Sequence, residues 1–336
     1  MENQTTPNTS STFVKRISPF GRNLGQTLLR QGSAFLGLVI LIIIATALSP
    51  SFRNPINLLN VLLQVSMNAF VAMGMTFVIL SGGIDLSVGS TVALTAEVMA
   101  LLALNGLSWW LAGAVALVMG FAMGALNGFI THRLKVIPFI VTLATMQVYR
   151  GCALLVTNGN YLYKLPHGLE FLGQGHLFNI IPVPPLIVIA VAIVAWFVLA
   201  RTKLGRNTYA IGGNEEAARL AGINIGFNKV IIYGISGLFC AIAAIVQTSR
   251  LMSTYTGLGS GWELDAIAAT VMGGTAFSGG EGGVVGTLIG AVILGVIRNI
   301  LTLINANPFI QTIVIGLVVL LAVVVDKVRQ KVSVQA

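Results

Sequence analysis

Ten apolar runs divide the sequence, at residues 34–48, 58–80, 86–104, 109–131, 137–156, 183–200, 230–249, 263–277, 284–302 and 309–325. A bilayer core about 30 Å thick takes about 20 apolar residues per helical crossing. In that solvent a chain must satisfy its own backbone hydrogen bonds, and a helix does so within one segment. Only 9% of the 336 residues are charged, against about 25% in an ordinary soluble domain. Too little charge is left to solvate a globule, which excludes a water-soluble enzyme. The expected fold class is an all-α membrane protein with about ten transmembrane helices.

The net charge of +9 would raise the question of nucleic acid in a soluble chain, but basic residues beside membrane spans report orientation instead. With the N-terminus inside, fourteen of the nineteen Lys and Arg fall in inner segments: Lys15, Arg16, Arg22 and Arg30 in the leader, Arg133 and Lys135, five from Arg201 to Lys229, and three from Lys327 to Lys331. Outer loops hold Arg53, Lys164 and Arg250. An even number of crossings returns the C-terminus to the same side. The expected layout is a cytoplasmic tail at 1–33, a polytopic domain at 34–325 with an inner loop at 201–229, and a cytoplasmic tail at 326–336. The run at 263–277 is the weakest, because it opens on Glu263 and Asp265 and holds few residues. It is expected to be a half-helix or re-entrant segment.

Glycine is abundant, with 38 residues, as suits helices that approach closely in a membrane. Gly120, Gly124 and Gly128 place a flat stripe on one helix face, read as a packing surface. Gly82, Gly83, Val88, Gly89 and Ser90 are echoed at Gly279, Gly280, Val285, Gly286 and Thr287, which points to two related halves with broken helices near 81–90 and 263–283. Repeats six crossings apart would be parallel, and glycine-broken helices at corresponding positions are a recurrent transporter design. The run at 257–261 lacks the features of a dinucleotide fingerprint and there is no Walker A pattern, so any ATP must be bound by another chain.

Ionisable groups inside spans are costly. Asp85 and Glu281 adjoin the two glycine breaks and are read first as helix caps; with Gly82, Gly83, Glu263 and Asp265 they are also the candidates for a gate or pathway. Arg150 and Arg298 are expected to snorkel or pair. Gln64, Asn68, Asn127, Gln147 and Asn299 could line a path for a hydroxylated solute or bridge helices. Cys152 and Cys240 sit in apolar stretches as small hydrophobes. No catalytic constellation and no metal spacing is present. The outer loop at 157–182, with Tyr161, Tyr163, His167, Glu170, His176 and Phe178, is read as a docking rim.

Within the inner loop, Asn214 to Gly222 reads as a short capped helix, with Asn214 as N-cap, Glu215 and Glu216 in the first turn and Gly222 at the stop. A small helix between spans needs a partner. Glu216-Ala217-Ala218 followed by Gly222 resembles the EAA signature of bacterial ABC importer permeases, without the Leu-Pro pair of its longer form. SGGIDLSVGS at 81–90, GRNTYAIGGNEEAA at 205–218 and ELDAIAATVMGGT at 263–275 are similar to the permeases of ribose-type sugar importers, the family with ribose, xylose, galactose, allose and autoinducer-2 members. The resemblance implies a ten-span inner-membrane permease paired with a second copy or homologue. It also implies a cytoplasmic ATPase that binds ATP and Mg, and a periplasmic sugar-binding protein. The ATPase contact would use Gly213, Asn214, Glu215, Glu216, Ala217, Ala218 and Gly222. The chain itself would bind no cofactor and no metal, would perform no covalent chemistry, and would leave sugar choice mainly to the binding protein. The competing reading from the residues is an ion-coupled secondary transporter with Asp85, Glu263 or Asp265 as the coupling carboxylate.

Overall fold

The structure, a computed structural model, describes residues 19–178 and 180–335; Lys15 and Arg16 of the leader lie outside them. The main elements are helices α1 (Pro19–Leu48), α2 (Pro55–Leu80), α3 (Val88–Leu104), α4 (Trp109–Arg133), α5 (Pro138–Thr157), α6 (Glu170–Gln174), α7 (Val183–Arg201), α8 (Lys203–Gly213), α9 (Glu215–Leu220), α10 (Ile225–Leu251), α11 (Trp262–Met272), α12 (Val284–Leu303) and α13 (Pro308–Gln335). Two-residue strands β1 (Leu162–Tyr163), β2 (His176–Leu177), β3 (Ile181–Pro182) and β4 (Ser253–Thr254) pair as β1 with β4 and β2 with β3. Helix α1 begins well before the apolar run at Ala34, so part of the expected tail is helical.

Helix starts follow local chemistry. Proline opens α2, α5 and α13, where its missing N–H would have had no partner anyway. Asn54 caps α2 by accepting from the Ile56 N–H at 2.9 Å, and Asn224 caps α10 by accepting from Phe227 at 3.0 Å.

Contacts orient the rods. At one end, called here the rim, Gln174 donates to the Arg250 carbonyl at 3.0 Å, Ser249 donates to the Leu169 carbonyl, and β1 meets β4. At the other, the hairpin end, Lys229 at the start of α10 pairs with Glu215 of α9 at 2.7 Å. Helix α2 runs from the rim, where Asn57 and Asn299 exchange hydrogen bonds of 3.0 and 2.8 Å, to Leu80 beside Gly212. Helix α12 runs the opposite way, from Gly282, which accepts from Tyr209 at 2.9 Å, to Asn299. The basic residues Lys135, Arg219 and Lys229, all expected on the inner side, share one pocket at the hairpin end.

Among the described residues six helices are long and apolar enough to cross a membrane, namely α2, α4, α5, α7, α10 and α12, and α1, α3 and α13 contain shorter apolar stretches. The run at 263–277 is a short helix, in keeping with the half-helix expected there: α11 holds 11 residues, about 16 Å at 1.5 Å per residue. The chain still passes from β4 at the rim to Gly282 at the hairpin end, half of the way as loop. Helix α3 likewise starts inside the bundle, where Gly89 lies against the Gly259 backbone.

The core is centred on α2, buried without interruption from Ala69 to Leu80 and packed by α7, α10, α11 and α12. The glycine stripe of α4 is its contact with α10. A side chain at Gly120 would strike the Gly237 carbonyl, and one at Gly124 the Tyr233 carbonyl. Close backbone approach of this kind drives helix association where lipid offers no hydrophobic effect. Large apolar side chains such as Ile43, Val118, Leu155, Phe197 and Leu320 point outward, as lipid-facing surface does.

Replacing Gly124 with valine overpacks the α4–α10 contact, at about 1–3 kcal/mol, and should lower the thermal unfolding midpoint in detergent and the folded yield. Gly316, with open space around it, should accept alanine without loss. Equal stability of the two variants would contradict this assignment of the stripe.

Candidate functional site

The inner loop at 201–229 folds as a helical hairpin, α8 and α9. Thr202 caps α8 by accepting from the Gly205 N–H at 3.3 Å, and Asn214 caps α9 by accepting from Ala217 at 2.9 Å. Gly222 ends α9 with φ +82°, a left-handed conformation that glycine adopts without steric cost. Ala218 is buried with Ile211 and Ile225 in a small apolar cluster, so of the two alanines only Ala217 faces outward. Leu220, at 80% exposed, joins Glu216 and Ala217 on the free face. Arg219 hydrogen-bonds Glu216 and holds its carboxyl below the usual range. Both side chains are exposed, so the pair shapes the surface more than it stabilises the fold.

The open end of α8 enters the bundle at the two glycine breaks. Gly280 donates its N–H to the Leu80 carbonyl at 2.9 Å. Any side chain at Gly279, φ +89°, would meet Gly82 backbone at 2.8–3.0 Å, and one at Gly212 would collide with the Leu80 carbonyl. Gly82–Gly83, Gly212–Gly213 and Gly279–Gly280 therefore form one junction, closed by the Tyr209 hydroxyl on the Gly282 carbonyl. Burial pushes that phenol up to about 12, so it remains a donor. The helices that follow the breaks, α3 and α12, run in the same sense.

Asp85 is fully engaged within the first break. Its carboxylate accepts from the Ser87 N–H at 3.0 Å, the Ser87 hydroxyl at 2.6 Å and the Ser236 hydroxyl of α10 at 3.2 Å. Asn127 of α4 donates to the Ser87 oxygen at 2.8 Å, and the Tyr149 hydroxyl lies 3.3 Å from the Asn127 amide oxygen. The carboxylate thus ties the break to α4, α5 and α10; the N–H it receives belongs to Ser87, just outside the first helical turn. Glu281 stands in the second break, where its carbonyl accepts from Ala276 at 2.9 Å, while Gly283 is the residue at the α12 N-cap, with no side-chain cap bond.

On the rim side, Glu263 and Asp265 occupy the first turn of α11, the favoured end of the helix dipole for negative charge. The Arg298 guanidinium holds both Asp265 oxygens at 2.6 and 2.7 Å, the pairing expected for Arg298. Arg150 instead donates to the carbonyls of Thr256 and, at 3.0 Å, Leu258, pinning the loop before α11. Glu97, fully buried in α3, accepts from the Thr256 hydroxyl at 2.9 Å. Asn299 bridges to Asn57, Gln147 is exposed, and Gln64 and Asn68 line a cavity of about 240 Å³ together with Gln247, Arg250, Trp262 and Arg298. Gln247 and Arg250 were not anticipated, because each is unremarkable in α10 until α2 and α12 are placed beside it. Among the described residues no group of three or more His, Cys, Asp or Glu has metal-binding geometry.

A permease family described as "Branched-chain amino acid transport system / permease component" matches residues 57–323. The chain belongs to this family. The permease is 46% identical over 295 residues to the ribose import permease protein RbsC of Bacillus subtilis (strain 168), covering 87% of this chain and 91% of the relative. It is 44% identical over 310 residues to RbsC of Escherichia coli (strain K12), covering 90% and 95%. It is also 39% identical over 292 residues to the L-arabinose transport system permease protein AraH of that strain, covering 87% and 89%. No solved structure matches.

Asp85→Leu leaves three buried donors of the permease without an acceptor, at about 1–3 kcal/mol each, and should abolish the folded, monodisperse protein, while Asp85→Asn keeps one acceptor and should unfold at a moderately lower temperature. An Asp85→Asn protein as stable as wild type but inactive in uptake would move Asp85 from scaffold to pathway. For the second charge site, Arg298→Ala should destabilise by about 2 kcal/mol, between the values for exposed and buried pairs because Arg298 is partly exposed, and Asp265→Asn in the same chain should recover much of the loss.

Proposed function

We propose that this permease forms the translocation path of a binding-protein-dependent ABC importer for a monosaccharide of the ribose or arabinose kind, and works by ATP-driven alternating access. The observation that carries the reading is identity of 39–46% to ribose and L-arabinose permeases across nearly the whole of both chains. The interior supports a polar cargo, since amide and guanidinium groups line its rim-side cavity.

In this reading the rim faces the periplasm and receives the sugar-binding protein, while the hairpin end faces the cytoplasm of a bacterial inner membrane. ATP and Mg are held by a separate ATPase subunit, and a second permease copy or homologue completes the path. Helix α9 is the coupling helix, and its free face of Glu216, Ala217 and Leu220 docks on the ATPase. Movement of α9 is delivered through α8 to the junction of the Gly82, Gly212 and Gly279 backbones, where both broken helices begin. Each nucleotide state of the ATPase can shift the bundle only as far as it binds one conformation better than the other. Two packed arrangements of the junction would then serve as the inward- and outward-open states.

Leu220→Glu should reduce sugar uptake and binding-protein-stimulated ATP hydrolysis at least tenfold in the assembled importer, with unchanged permease yield, because it sits on the free face and touches little of the fold. Gly222→Val should do the same by distorting the turn after α9. Wild-type uptake in both would remove α9 from the coupling role. Sidedness has its own test. A cysteine in place of Arg219 should react with a membrane-impermeant maleimide only in inside-out vesicles, and one in place of Tyr163 only in right-side-out vesicles.

A further inference from the structure

The cavity of about 240 Å³ lies within one protomer, just beneath the rim. Gln64 and Asn68 come from the rim half of α2, Gln247 and Arg250 from the last turns of α10, Arg298 from the rim half of α12, and Trp262 is the first residue of α11. Its size is below the roughly 300–1,000 Å³ of sites for drug-sized ligands and equals about eight waters at about 30 Å³ each, a space for one small ring.

Its chemistry is as selective as its size. Three amides and two guanidinium groups converge with one indole, and carboxylates are absent from the immediate wall. Planar amides offer donors and acceptors side by side, matching neighbouring hydroxyls that both give and accept. Trp262 adds an apolar surface with a polar edge. The polar groups are also incompletely used by the fold. Asn68 Oδ1, Gln247 Oε1 and Arg298 Nε have no hydrogen-bond partner among the described residues, a state that buried polar atoms rarely occupy without a ligand or water to meet them.

The floor, Arg298, is fixed from behind by Asp265, 4% exposed, which also takes a hydrogen bond from the side chain of Asn68. Beyond Trp262 and Arg298, which line both spaces, a larger cavity of about 700 Å³ extends along α13 with a largely apolar wall that includes Ile315 and Val323. A hydroxylated solute would find partners on the rim side and few beyond the pair.

We propose that this cavity is a monosaccharide transit site built into the single permease chain, in which Gln64, Asn68, Gln247 and Arg250 hydrogen-bond sugar hydroxyls above Arg298, which Asp265 holds from behind, and Trp262 covers the ring. The proposal rests on the reading of the chain as a sugar permease and adds to it that the permease itself selects for ring size and hydroxyl pattern.

The test uses full-length permease with Trp109, Trp110 and Trp196 changed to Phe, leaving Trp262 as its only tryptophan. The protein, in nanodiscs, is titrated with D-ribose, D-allose, L-arabinose and, as an oversized control, sucrose, while Trp262 fluorescence is followed. A saturable change is expected with at least one monosaccharide and none with sucrose, with the apparent Kd raised at least tenfold by Gln247→Ala and by Gln64→Ala. In cells carrying the complete importer, the same substitutions should raise the uptake KM for that sugar at least fivefold at unchanged permease level. Should Gln247→Ala fail to fold, exposed Gln64 carries the comparison, with Gln64→Asn as the conservative variant expected to restore binding in part. If the wild-type importer takes up one of these monosaccharides but Trp262 does not respond and both alanine variants keep the wild-type KM, the transit site is overturned and the sugar-import reading stands. Uptake of none of the three by the wild-type importer would overturn both.

Discussion

Backbone that leaves the helical ladder inside a membrane must find its hydrogen bonds in protein, because lipid supplies none and each orphaned group costs several kcal/mol. This chain leaves the ladder twice between the ends of its bundle, after Leu80 and after Met272, and it solves both departures with one contact. The Gly280 N–H goes to the Leu80 carbonyl, the two glycine pairs pack against each other, and Gly212 of the hairpin fills the remaining space. Most of the layout follows from that closure. It fixes where α3 and α12 begin, sets the depth of α8, and leaves no room for side chains at Gly212 and Gly279.

The interior charges obey the same rule. Asp85 accepts from three donors, Asp265 is clasped by Arg298, and Arg150 is spent on two carbonyls of the loop before α11. With Asp85 and Asp265 committed to partners from distant helices, they read as parts of the scaffold around a path. The cavity beneath the rim gathers three buried polar atoms, Asn68 Oδ1, Gln247 Oε1 and Arg298 Nε, that have no partner among the described residues.

Much of this was legible in the sequence because hydrophobic length is a local property. Seven of the ten apolar runs coincide with helices that start and stop close to the expected positions, α1 and α13 continue past theirs into polar sequence, and α11 was marked as short by Glu263 and Asp265 at its start and by the glycines after it. The capped helix at Asn214 was equally local: cap, acidic first turn and stop lie within nine residues. What escaped was set by distance along the chain. Ser236 stands 151 positions from Asp85 and Asn299 stands 242 from Asn57, so neither pairing has a local signal. Ala218 turned inward because Ile211 and Ile225, from two flanking helices, meet over it. Gln247 and Arg250 gained meaning only beside Gln64 and Asn68.

Helix α10 is 27 residues long, a rod of about 40 Å, and it is fastened at both extremities to elements outside the bundle. Lys229 binds the short helix at one end; the carbonyl of Arg250 and the hydroxyl of Ser249 hold the loop helix at the other. Coupling free energy between two sites is reciprocal. Whatever a partner bound at the rim would gain by displacing this rod, a partner bound at the hairpin end would gain or lose by the same amount. One rigid element would thus give two ligands that never touch a shared coordinate, and the sign of their cooperation would depend only on whether they prefer the same position of it.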